Sequence, residues 1–109
     1  MMELNDITRE LYDASARLRK GSGELFKLAK ARAESERAYR MALAAQIVEL
    51  RAEGIQASLI PDIARGVCAE LKYQRDLDDG RYMVGRDSLD AIKTQISALQ
   101  TIVRYQEEL

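Results

Sequence analysis

The sequence predicts an all-α protein: a long antiparallel helical hairpin of coiled-coil character, associating into a dimeric helical bundle. Three observations carry this expectation. The 109 residues are 32% charged, with six glycines, a single proline and few aromatics, a mixture suited to long amphipathic helices and poor in material for sheets. Apolar residues recur at alternating steps of three and four over most of the chain. A helix stop, a brief connection and a helix start fall together between Gly54 and Pro61.

The first arm is expected over about residues 4–53. Its seam runs Leu4, Ile7, Leu11, Ala14, Leu18, the spacing of heptad a and d positions. Gly21-Ser-Gly23 resembles a linker, yet the same count continues through Gly21, Leu25, Leu28, Arg32, Ser35, Tyr39 and Ala42. A flexible linker has no reason to keep phase, so one helix weakened at its glycines is favoured over two helices with a break. From Ala38 to Glu53 the residues are strong helix formers, with Tyr39, Leu43, Ile47 and Leu50 on one face.

The bend is expected over residues 54–61. Gly54 tolerates the positive φ of a helix C-cap, and Pro61 presets φ for a first helical turn, with Asp62 favourable to the positive end of the new helix. The second arm then occupies about residues 61–108, beginning with a short piece to Cys68 and a possible hinge at Gly66. Leu71, Tyr82, Leu89, Ile92, Ile96, Leu99 and Val103 form its seam. Two arms of about fifty residues, each long enough for roughly 75 Å of helix, joined by a short connection, make one hairpin domain.

Folding the chain about residue 57 sets Leu43 opposite Leu71, Leu25 opposite Leu89, Leu18 opposite Ile96 and Leu11 opposite Val103. The apolar match fails at one height. There Arg32, Ser35 and Glu36 meet Arg75, Asp78, Asp79 and Tyr82. As a structural feature, this polar layer is a set of ion pairs, Arg32 and Arg75 against Glu36, Asp78 and Asp79, which fixes register at some expense in stability. As a functional feature, it is a partner or ligand site. A metal cluster of Glu36, Asp76, Asp78 and Asp79 is disfavoured, because bundle metal sites use Glu-x-x-His pairs and the chain has no histidine.

Other chemistry is sparse. Cys68 has no histidine to activate it and sits at helical spacing between Ala64 and Leu71, as a core thiol does. There is no glycine-rich phosphate loop or paired-cysteine pattern, and Asp76-Leu-Asp-Asp-Gly lacks the spacing and closing glutamate of a calcium loop. No catalytic residue and no cofactor is expected; the chain reads as a non-enzyme. A basic row on the first arm, Arg19, Lys20, Lys27, Lys30 and Arg37, could follow a phosphate backbone. Glu34 interrupts it, no aromatic interleaves it, and 17 basic against 18 acidic residues give no global attraction to nucleic acid. A solvated face is the plainer reading.

No apolar run is long enough to span a bilayer, no signal-peptide pattern is present, and Met1-Met2 with Leu4 make a poor anchor among Glu3, Asp6, Glu10 and Asp13. A lone cysteine fits a reducing compartment, so a soluble cytoplasmic protein is expected. Apolar positions beside the seams (Ala29, Met41, Val48, Ala91, Ala98, Ile102, Tyr105) ask for a further helix surface, most simply a second copy.

The runs Ala33-Glu-Ser-Glu-Arg-Ala-Tyr-Arg40, Leu50-Arg-Ala-Glu-Gly54 and Leu59-Ile-Pro-Asp-Ile-Ala-Arg-Gly66, with Leu71-Lys-Tyr-Gln-Arg-Asp76 and Tyr82, resemble small helical prophage proteins of Gram-positive bacteria. The resemblance covers roughly the last three-quarters of the chain and implies a phage origin, a bacterial host cell and a helical hairpin. It brings no catalytic residues. The expected function is an oligomeric adaptor or regulator that binds a host or phage protein, using the bend at Ile55, Leu59 and Ile60. The alternative is an accessory nucleic-acid-binding protein of a replication or recombination module, using the basic row.

Overall fold

The computed structural model describes residues 3–108. They form three helices, α1 Leu4–Ala52, α2 Ile60–Val67 and α3 Ala69–Glu108, and α1 pairs with α3 as an antiparallel hairpin. Among the described residues no helix is long and apolar enough to cross a membrane. Met1 and Met2, weighed above as part of an anchor, lie outside the described residues.

α1 runs unbroken through Gly21-Ser-Gly23, as continuity of the heptad phase requires. The contacts divide into two compact units. The first joins residues 3–27 to 83–108; the second comprises Leu28–Tyr82.

In the first unit Ile7, Ala14, Leu89 and Leu99 are buried, Ile7 and Ala14 completely. Leu11, Leu18 and Leu25 from α1 and Ile92, Ile96 and Val103 from α3 flank them half-buried, so the predicted a/d spacing does form the seam. Arg17 Nη2 donates to Gln95 Oε1 at 2.9 Å at the seam's edge. Leu89 packs over Gly21, close enough that a Cβ there would lie 2.5 Å from Leu89 Cδ2. Leu89, set opposite Leu25 by reflection, thus has Gly21, one turn before Leu25, directly beneath it, where glycine leaves room for the leucine.

In the second unit the bend is closed by a Schellman motif. Gly54 takes φ +79°, its N–H donates to the Arg51 carbonyl, and the Ile55 N–H donates to the Leu50 carbonyl, each at 3.1 Å. Ile55 folds onto the cluster that contains Leu50, giving the apolar contact that accompanies this motif. Pro61 lies in the first turn of α2, where a missing N–H costs nothing, and Asp62 follows it. α2 lays Ile60 and Ala64 against Leu50, with Leu43 and Ile47 packed beside them. Cys68, one turn further along the same stripe, is buried at the α2–α3 junction. There Lys72 N–H donates to its carbonyl and α3 takes over at Ala69. Leu71, expected opposite Leu43, is instead 38% exposed. The α3 seam in this unit passes through Arg75, Asp78 and Tyr82.

Candidate functional site

The polar layer is assembled within the second unit, where α1 and α3 each contribute about two turns. Asp78 is the one buried charged residue among those described, at 6% exposure. Ser35 Oγ donates to its Oδ2, Gln74 Nε2 donates to its Oδ1 at 3.1 Å, and Arg81 Nη1 approaches at 3.7 Å. These donors, Ser35 foremost, hold the Asp78 carboxyl below its ordinary value, because a carboxylate accepting hydrogen bonds is favoured in its charged form. Asp78 was expected to pair with Arg32 or Arg75; it lies on the seam itself and takes Ser35, Gln74 and Arg81 as partners, while Arg32 pairs with Asp79 and Arg75 with Glu36.

The two arginines flank that centre in matching ways. Arg32 Nε lies 2.6 Å from Asp79 Oδ1, with its guanidinium 4.7 Å over the Tyr82 ring. Arg75 Nε lies 3.5 Å from Glu36 Oε2, with its guanidinium 4.6 Å over the Tyr39 ring. Each arm thus supplies an arginine, an acid four residues on and a tyrosine seven residues on. The arm-one set is Arg32-x-x-Ser35-Glu36-x-x-Tyr39, and the arm-two set is Arg75-x-x-Asp78-Asp79-x-x-Tyr82. Each arginine grips the acid and the ring of the other arm, related by a local two-fold between Ser35 and Asp78. Tyr39 and Gln74 were not singled out from the sequence as parts of the layer. The shared spacing of arginine, acid and tyrosine was the signal available for Tyr39; nothing in the sequence marks Gln74.

The ion pairs continue outward. Arg75 Nη2 contacts Asp76 Oδ1 at 3.1 Å, and Lys72 Nζ contacts Asp76 Oδ2 at 2.9 Å. Lys72 and then Arg75 lower the Asp76 carboxyl, while Asp76 raises Arg75. Arg32, Glu36, Arg75, Asp76 and Asp79 line an open cleft of about 330 Å³. Each of its charges is already paired, Asp76 with Lys72 from outside the lining as well as with Arg75, so it offers an incoming ion little that is not engaged. Among the described residues no group of three or more His, Cys, Asp or Glu is placed to hold a metal. The arrangement suits fixing register, and no buried side-chain nitrogen or oxygen among the described residues lacks a partner.

The other predicted residues fall as follows. Arg19, Lys20, Lys27, Lys30 and Arg37 are all exposed. Lys27 pairs with Glu24 at 3.5 Å and Lys30 with Glu34 at 3.9 Å, so the acids of the same helix neutralise part of the row. At the bend, Ile60 is a correction: it is 4% exposed, because the buried stripe of α2 begins with it. Ile55 is half-buried in the Schellman contact, and only Leu59 of the three stands at the surface, 51% exposed. Leu59 is joined there by Ile63 at 39% and Val67 at 60%, an outward stripe at four-residue steps along α2. No family profile matches the sequence, and neither a curated protein nor a solved structure is significantly similar to it.

Proposed function

We propose that the chain is a non-enzymatic, phage-encoded adaptor or regulator, working as a homo-oligomer in the bacterial cytoplasm and docking a host or phage protein at α2. The observation that carries this reading is the pair of adjacent stripes on that short helix, one buried and one exposed. Ile60 and Ala64 bury against α1 while Leu59, Ile63 and Val67 face outward. An eight-residue helix cannot stand alone, so α2 is held by its inner stripe and free to offer its outer one. Apolar anchors at i, i+4 and i+8 suit a partner's hydrophobic groove. The resemblance to prophage proteins supports the phage origin.

The test is affinity capture of the tagged chain from bacterial lysate, beside a Leu59→Ser, Ile63→Ser variant with unchanged helical circular dichroism. One or two proteins held near stoichiometry by the parent and lost by the variant support docking at α2; equal capture by both refutes it. The nucleic-acid reading rests on the exposure of all five basic residues. It predicts a salt-dependent affinity that drops when Lys27, Lys30 and Arg37 become alanine.

A further inference from the structure

We propose that two copies of the chain associate through the outward face of α1 between Met41 and Val48. Of the eight residues Met41-Ala-Leu-Ala-Ala-Gln-Ile-Val48, only Gln46 is polar. Leu43 and Ile47 already pack inward on the cluster of Leu50, Ile60 and Ala64. Met41, Ala44, Ala45 and Val48 face the other way, within about a third of the helix circumference, with Met41 and Val48 each 66% exposed. A helix apolar all round is one covered on both sides. Helix propensity explains the alanines but not Val48, whose branched side chain is a poor choice for a solvated helix position.

The pattern on this face selects a second copy as the occupant. Met41-x-x-Ala44-Ala45-x-x-Val48 runs large, small, small, large in either direction. A two-fold contact centred on Ala44 and Ala45 therefore sets small residues together at the middle, where two helices can approach closely, and large ones at the ends. Arg37 and Arg51, exposed on either side of the strip, supply a polar rim.

This inference rests on the reading that the chain works as a homo-oligomer, and the experiment separates the two. Light scattering on the full chain at micromolar concentration is expected to give twice the 12.3 kDa chain mass. Ala45→Glu and Val48→Glu, at exposed helical positions, are expected to raise the dimer dissociation constant at least tenfold with helicity unchanged, whereas Leu59→Ser, Ile63→Ser stays dimeric. If Ala45→Glu loses helicity, Met41→Lys, which alters only an exposed side chain, decides by the same criterion. Parent-like dimers from these α1 variants would overturn the assignment of the face while leaving self-association standing. A monomeric parent would overturn both.

Discussion

Gly21 and Gly23 lie two residues apart in α1, and alanine is expected to stabilise at Gly23 but not at Gly21. In a helix, glycine costs about 0.5–1 kcal/mol relative to alanine, so both substitutions start with the same gain. At Gly23 a Cβ meets nothing within 4 Å, and the gain is expected in full, about 0.5–1 kcal/mol. At Gly21 the Cβ would stand 2.5 Å from Leu89 Cδ2, where carbon atoms rest at about 3.5–4.0 Å. Leu89 is only 7% exposed, so its side chain has little room to turn aside. Overpacking a core of this kind costs roughly 1–3 kcal/mol, which cancels or exceeds the helical gain. The two variants should therefore differ by about 1–3 kcal/mol, read by urea unfolding under circular dichroism at one fixed protein concentration. A thermal midpoint should separate by about 4–8 °C for each kcal/mol. Leu89→Val in the Gly21→Ala background should recover part of the loss. Equal stabilisation by both alanines would refute the claim that Leu89 occupies the space above Gly21.

Asp78 predicts a pH dependence of known sign. Its folded pKa lies below the unfolded value near 3.8, so its contribution is complete above that pH and is lost as pH falls through the folded value. Asp78→Asn should flatten the acid limb of the stability profile, and an unchanged limb would count against the buried carboxylate. Asp78→Ala should cost about 1.5–3 kcal/mol at neutral pH, the range for hydrogen bonds to a charged group, measured by urea unfolding. Arg75→Ala, which removes an ion pair and a ring contact from a side chain only 25% exposed, should lower the urea midpoint measurably. Arg32→Ala, at 46% exposure, should cost less, and a double-mutant cycle with Tyr82→Leu should show coupling of about 0.5–1 kcal/mol. Gly54→Ala should cost about 1–2 kcal/mol in the same assay, because φ +79° is strained for any residue with a Cβ.

Much of the architecture was legible because it depends on local rules. The heptad phase carried across Gly21 and Gly23, and Gly54 and Pro61 announced the two sides of the bend. The height of the polar layer followed from simple reflection about residue 57, since an antiparallel pair has only one free parameter. What periodicity could not give was the detailed meeting of side chains. Leu89 seats on Gly21, a contact decided by the volume of one missing methyl. Ile60 was assigned outward with the rest of the bend, expected over residues 54–61. In fact α2 begins there and turns it inward. Asp78 was grouped with the arginines by charge, while its neighbours across the seam are a serine and a glutamine. Charge alone does not reveal which of three adjacent carboxylates points at the opposing helix.

The buried Cys68 gives the molecule a built-in clock. It is the only sulfhydryl in the chain, 3% exposed, at the point where α2 hands over to α3. A thiol reagent reaches it only in moments when the α2–α3 junction at the bend opens. Its labelling rate in native buffer is therefore the intrinsic chemical rate scaled by the fraction of time the bend stands open. A protein gripping Leu59, Ile63 and Val67 would press α2 down and slow that reaction without touching the sulfur. Occupancy of the bend can thus be timed by alkylation alone, with no label added to the chain.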